Sequence, residues 1–264
     1  MSLRPLVALG LVFCCLPAPL GAFEEGGKRS KKTEAEEVEM FDAMKAGQIS
    51  VRLIPKNSLS ARVLIENKTK QPLSVRLPET FAGVHAQVAG AGVNQTGGGG
   101  GQSLGGGFGG GIGGGRGVFS VPPEKVAQVK VSCVCLEHGK AEPTPKMKYE
   151  IKQLSEVTTK PGIEDLMKAL ASGRFDQDAI QAAAWHLNNG LSWAELAAKR
   201  SGRKDIYGNE LSYFNPGDLQ LGFQLSTAAV QAAQQAAAGQ GDADSWYKRG
   251  SLSGQGAGGS QLPQ

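Results

Sequence analysis

The strongest constraint on this chain is a change in the period of its apolar residues. Through 49–77 and again through 118–136 they recur at every second position, whereas beyond Pro161-Gly162 they recur at every third or fourth. A period of two turns one face of a strand toward a core, and a period near 3.6 does the same for a helix. A β half is therefore followed by an α half. The stretch 129–140, V-K-V-S-C-V-C-L-E-H-G-K, is where the two meet.

In the β half, Ile49, Val51 and Leu53 alternate with Ser50 and Arg52 before Pro55 stops the run. Ala61, Val63 and Ile65 then stand opposite Arg62 and Glu66, and Leu73, Val75 and Leu77 opposite Ser74 and Arg76. The polar segment 67–72 reads as the turn between those two strands, with Pro72 at a strand's first residue. Further strands fall at 81–88, 118–121, 125–136 and 147–154. Short strands with turn signals about every 8 to 12 residues predict an Ig-like β-sandwich over 46–154. Within it, 97–117 holds 15 glycines and the spaced apolar residues Leu104, Phe108 and Ile112. Any G-x-G-x-x-G match in such a tract is trivial, and it lacks the Gly-Lys-Ser/Thr ending of a phosphate loop. The expectation is a flexible loop inserted between strands, because closure entropy grows only logarithmically with length. The alternative makes Phe108 and Ile112 weak stickers for self-association.

In the α half, Ile163, Leu166, Met167 and Leu170 predict a short helix ended by Gly173. Asp176 or Gln177 starts a second helix with Ile180, Ala183, Ala184 and Leu187 on its apolar face and Gly190 as its stop. Ser192 and Glu195 are spaced as a capping box. These segments predict a helical subdomain over 155–203. A loop and an Ala/Gln-rich helix follow over 204–239, with Asn215 as cap, Pro216 in the first turn and Gly239 at the end. The expected seam of that helix is Leu219, Phe223, Ser226, Val230, Ala233 and Ala237. The fold class is thus α+β.

The ends of the chain bear on where it works. Residues 1–22 combine Arg4, an apolar run over 6–16 and the small-residue ending Leu20-Gly21-Ala22. This is the pattern of a secretory signal peptide cleaved after Ala22, and the run is too short to span a bilayer. Residues 23–45 are expected to form a charged disordered leader, in which 34–45 could make one or two helical turns, and 240–264 a disordered Gly/Ser/Gln tail. A protein secreted or held in the periplasm or cell envelope is expected, with no transmembrane span in the mature chain. Removal of the signal would take Cys14 and Cys15 and leave Cys133 and Cys135, so a hydrophobic core rather than a disulfide framework must hold the fold. The excess of 28 Lys and Arg over 24 Asp and Glu is too small to identify a partner. The run 191–203 invites comparison with a helix-turn-helix, but no helical repeat follows it, and no nucleic-acid partner is expected.

Two constellations carry possible chemistry. Cys133 and Cys135 fall on one strand face with Val129 and Val131, with Cα atoms about 6.5 to 7 Å apart, at the outer limit for a disulfide. Joined by His138 they make C-x-C-x-x-H, and with His85 or His186 as a fourth ligand they would suit zinc. Structural zinc sites usually space paired cysteines by two to four residues, and buried cysteine packs readily as a small hydrophobe. Core thiols without a cofactor are therefore the first expectation, and a metal-binding or redox protein the alternative. The chain has no G-x-S-x-G, no H-E-x-x-H and no phosphate loop, so no catalytic motif is found. The second constellation is Arg52, Arg62 and Arg76, each opposite the core-facing set of its strand. A stripe of planar guanidinium forks suits carboxylates or phosphates. A solvated outer face has the same pattern.

The blocks V-C-L-E-H-G-K at 134–140, A-A-A-W-H-L at 182–187 and L-S-W at 191–193 resemble segments of uncharacterised exported bacterial proteins. The resemblance covers 48–200 without the glycine tract and implies a β-sandwich with a helical segment, with no assigned activity. The expected function is a non-catalytic exported protein that binds or organises a partner outside the cytoplasm, an anionic envelope polymer or another exported protein.

Overall fold

Alternating segments become strands because each must bury one face and pair its backbone. The computed structural model describes residues 35–86, 101–109, 118–239 and 245–248; the predicted signal peptide, residues 23–34, the flanks of the glycine tract and the rest of the tail lie outside them. The β half contains β1 (Glu36–Glu39), α1 (Met40–Lys45), β2 (Ile49–Pro55), β3 (Ser60–Asn67), β4 (Leu73–Arg76), β5 (Thr80–His85), β6 (Leu104–Gly107), β7 (Val118–Val121), β8 (Val126–Cys135) and β9 (Tyr149–Lys152). There follow α2 (Ile163–Ser172), α3 (Gln177–Asn189), α4 (Trp193–Ala198), β10 (Arg200–Lys204), β11 (Glu210–Ser212), α5 (Pro216–Ala237) and α6 (Ser245–Lys248).

Six strands close a barrel in the order β2-β3-β8-β6-β5-β9, every neighbouring pair antiparallel, with Leu53 opposite Tyr149 at the seam. The expected two-sheet Ig-like sandwich is therefore corrected to a barrel. The reason is β6, which lies between β5 and β8 and joins what would otherwise be two exposed sheet edges.

β6 comes from the middle of the glycine tract, so the expectation of a passive loop over 97–117 fails for its described part. Gly106 stands opposite Phe81 and Cys133, and a Cβ on it would lie 2.5 Å from the Phe81 ring and 3.0 Å from the Ser132 carbonyl oxygen. Gly105 and Gly107 point the other way, toward α2. A Cβ on Gly105 would lie 2.6 Å from Met167 Sδ, and one on Gly107 2.7 Å from both Ala171 Cβ and the Glu79 carbonyl oxygen. Glycine weakens a strand by its conformational entropy, yet here it is the residue that fits between the Phe81 ring and a helix packed on the strand.

A second sheet, β1-β4-β7, adds Leu73, Val75 and Val121 to the barrel core, together with Met40 of α1. The part of the expected disordered leader from 36 to 45 is thus ordered, because Met40 and Ala43 are buried. Buried Asn67 fixes the turn before β4. Its amide donates to the Gln71 and Val121 carbonyls at 2.8 and 3.0 Å, and its oxygen accepts from the Thr69 N–H and hydroxyl, both at 2.8 Å. Its hydrogen-bonding capacity is filled, as burial of a polar side chain requires.

The helices begin and end largely where their caps predict. Asp176 and Ser192 cap α3 and α4, Asn215 and Asp218 form a capping box on α5, and Gly173 and Gly190 adopt left-handed conformations at the ends of α2 and α3. The α5 seam differs from expectation. Leu219, Gly222, Leu225, Ser226, Ala229 and Ala232 are buried, while Phe223 is exposed, because the helix meets α3 at Gly222, where a Cβ would lie 2.8 Å from the Ala179 carbonyl oxygen. Trp185, Trp193 and Leu196 join the barrel's core cluster, and Ala82, Val134 and Leu136 join the core of α2, α3 and α5. Within the expected disordered tail, α6 forms a helical turn and Trp246 stacks on Phe175 with ring centroids 6.1 Å apart. β10 and β11 make a hairpin where a loop was expected to begin.

Gly107→Ala is expected to destabilise the fold by about 1 to 3 kcal/mol, since backbone at Glu79 and Met167 blocks the new methyl. Gly105→Ala should cost less, because Met167 Sδ and Leu136 Cδ2 are ends of side chains that can turn aside. Urea denaturation of the two variants checks the order.

Candidate functional site

The junction of the two halves is built from backbone groups that β8 leaves over. Pairing of β8 with β3 ends at Ser132 opposite Ser60, while pairing with β6 continues to Cys135. On the side without a strand neighbour, Gln181 of α3 takes over: its Oε1 accepts from the Cys135 N–H at 2.7 Å and its Nε2 donates to the Cys135 carbonyl at 2.8 Å. Gln177, one turn earlier, donates to the Leu59 and Cys133 carbonyls, each at 2.6 Å. At the other end of α3, Asn188 donates to the Leu136 carbonyl and Asn189 accepts from the His138 N–H at 3.1 Å.

This arrangement separates the residues of the candidate metal set. Cys133 and Cys135 are free thiols buried in the barrel core. His85 is buried on β5 and meets Tyr149 edge-on at 5.6 Å. His138 lies beyond the strand end, edge-on to Trp185 at 5.0 Å. His186 donates from Nδ1 to the Leu191 carbonyl at 2.7 Å and lies against Trp193. Among the described residues no three His, Cys, Asp or Glu side chains are placed to hold one metal ion. Burial, with smaller contributions from Glu142 and Glu137, pushes the Cys135 thiol up to about 12, and burial raises Cys133 too. Both are protonated at neutral pH and poor nucleophiles.

His138 has a different task. Lys199 Nζ lies 3.0 Å from its Nε2, and 5.1 and 5.2 Å from the ring centres of Trp185 and Tyr213. An ammonium has only donors, so Nε2 accepts and the imidazole is neutral. Tyr213 N–H also donates to the Lys199 carbonyl at 2.9 Å. The two residues flanking the β10–β11 hairpin are thereby clamped to the body through a cation held on two aromatic faces.

The arginine stripe is rearranged. Arg76 lies on β4, in the second sheet, where Glu37 and Glu39 of β1 both pair with it and raise its pKa. It is an ion-paired structural residue and leaves the candidate site. Arg52 and Arg62 remain exposed on the outer wall formed by β2, β3 and β8. Register adds a third cation: Lys130 of β8 stands directly opposite Arg62, and Ile54 of β2 stands on Arg62's other side. None of Arg52, Arg62 and Lys130 has an ion pair among the described residues, and half-buried Leu64 lies between Arg52 and Gln128. Lys130 already falls on the polar register of its strand, but its meeting with Arg62 depends on the long-range pairing of β3 with β8.

Native Cys133 and Cys135 are expected to react with an alkylating reagent at the rate of unfolding, and rapidly once denatured; peptide mass spectrometry reads both sites. A pH effect follows from His138. Burial first, then the Lys199 charge, lowers its pKa below the ordinary histidine value, while Glu195 acts in the opposite sense. Below the ordinary value the unfolded chain takes up this proton while the folded chain resists it, so stability is fully present near neutral pH and falls as pH drops through the lowered pKa. Between about pH 7 and pH 5, unfolding free energy should fall less steeply in His138→Gln than in the unmutated protein.

Comparison of the chain with protein-family models, with curated proteins and with solved structures finds no match to any of the three.

Proposed function

We propose that this is a non-catalytic binding protein that works outside the cytoplasm, and that the outer wall of β2, β3 and β8 takes an anionic polymer of the cell envelope. The reading rests chiefly on Arg62 standing opposite Lys130 on an exposed face with no carboxylate pairing either residue among the described residues. Like charges directly opposite on neighbouring strands are destabilising, so the pair carries a folding cost that a bound polyanion would offset. Arg52 extends the patch on β2, and its guanidinium, like that of Arg62, can engage a phosphate or carboxylate with two donors. Half-buried Ile54 and Leu64 between these cations lower the local dielectric, which strengthens attraction for an anion. Export is supported by the signal-peptide pattern of residues 1–22. No described helix is long and apolar enough to cross a membrane.

Retention on immobilised polyphosphate tests the assignment. The variant Arg52→Gln/Arg62→Gln/Lys130→Gln is expected to bind at least about tenfold more weakly at low ionic strength and to lose salt dependence. Its thermal midpoint should stay unchanged or rise slightly, since a like-charge contact is removed. An unmutated protein that flows through, or a variant retained equally, would remove the wall as a binding surface.

A further inference from the structure

The β10–β11 hairpin carries an apolar tip that the barrel-wall reading does not use. Ile206 and Tyr207 are 91% and 82% exposed, the highest values among the exposed large hydrophobic residues described. They are held there by an ordered loop. The Asp205 carboxylate accepts from the Tyr207 and Asn209 N–H groups, both at 2.8 Å, and from the Asn209 amide at 3.0 Å. Asp205 N–H donates to the Asn209 carbonyl, Gly208 N–H donates to the Asp205 carbonyl, and Gly208 takes a φ of 87° that its neighbours would resist. A lone two-stranded hairpin is marginal in water. This one is anchored at its base by Lys199 on Trp185 and Tyr213, so the tip is presented on a fixed stalk.

We propose that the tip seats in the interface of an anionic lipid bilayer, with Ile206 and Tyr207 reaching the hydrocarbon boundary. Tyrosine suits that boundary because its ring is apolar and its hydroxyl stays among the headgroups. The stalk supplies the complementary charge. Arg200, Arg203 and Lys204 are exposed; Glu210 stands opposite Lys204, and the Asp205 carboxylate is turned onto its own loop. Arg200 and Arg203 have no ion pair within 4 Å among the described residues, Arg200 donating instead to the Ser212 hydroxyl at 3.0 Å and Arg203 exerting only a longer-range pull on the Asp178 carboxylate of α3. Arg203 lies three residues before Ile206, about 10 Å at a strand's rise. The headgroup layer is about 5 to 8 Å deep, so a tip at the hydrocarbon edge leaves the Arg203 backbone just outside that layer, with its long side chain able to reach back to the phosphates. The inference stands apart from polymer binding at the barrel wall, since it uses other residues and another surface.

Co-sedimentation with lipid vesicles tests it. The protein is expected to pellet with vesicles of equal parts phosphatidylcholine and phosphatidylglycerol and to stay in solution with phosphatidylcholine alone. Ile206→Ser/Tyr207→Ser should lower partitioning about tenfold or more with an unchanged thermal midpoint, because both side chains are exposed. Arg203→Gln/Lys204→Gln should lower it about fivefold per charge and flatten its salt dependence. Absence of pelleting with the mixed vesicles, equal pelleting with neutral ones, or a tip variant that partitions like the parent would overturn the proposal. So would vesicle binding lost in Arg52→Gln/Arg62→Gln/Lys130→Gln and kept in the tip variant, which would place the membrane contact on the barrel wall.

Discussion

At Cys135 the barrel runs out of strands on one side, and a single glutamine amide takes the place of the missing neighbour. Gln181 accepts from the N–H and donates to the carbonyl of the same residue, as a paired strand would. Its amide is buried with both groups it serves. Losing it would leave an N–H and a carbonyl unsatisfied, at about 1 to 3 kcal/mol each. Much follows from this contact. It fixes the depth at which α3 lies on the barrel, so Trp185 reaches the core cluster while Gln177 bridges β8 to Leu59. The same helix then holds the chain after β8 through Asn188 and Asn189, which brings His138 to Lys199 and sets the base of the hairpin.

Local chemistry was readable wherever it depended on neighbours in sequence. Alternation located β2, β3, β4, β7 and β8, and Asn215, Ser192, Gly173 and Gly190 marked helix ends because caps act within a few residues. What escaped was pairing between distant segments. A sandwich and a barrel can be built from the same alternating strands, and the difference is made by Leu104–Gly107, whose glycines have no side chains to alternate. A helical turn over 34–45 ranks below a solvated leader in the sequence because the two anchors of α1, Met40 and Ala43, sit in a charged surrounding. On α5, hydrophobicity favoured Phe223 for the buried seam, whereas close approach to α3 favoured Gly222.

The same limit shaped the reading of the site. Arg52, Arg62 and Arg76 are alike in sequence, each on the polar register of a strand. Pairing divides them, since β4 lies beside β1 and its two glutamates while β3 lies beside Lys130 of β8. One arginine is thereby neutralised and another meets a like charge. Cys133, Cys135 and His138 were close in sequence, but the strand ends between them: two side chains belong to the barrel core and the third to the aromatic clamp outside it. Proximity along the chain suggested a ligand set that the end of β8 dissolves.

The glycine strand leaves a problem of identity. Between Leu104 and Phe108, β6 offers its neighbours three residues without side chains, and the sequence repeats that outline twice more, as Phe108-Gly-Gly-Gly-Ile112 and Ile112-Gly-Gly-Gly-Arg116. Backbone hydrogen bonds cannot tell one glycine triplet from another, and leucine and isoleucine are near equals as apolar anchors. The fifth residue separates the first of these segments from the last. Phe108 meets Phe81 with ring centroids 5.0 Å apart, where an arginine would bring a charge against the core. The contact of two aromatic rings therefore gives the Leu104–Gly107 triplet a side-chain anchor that its glycines cannot supply.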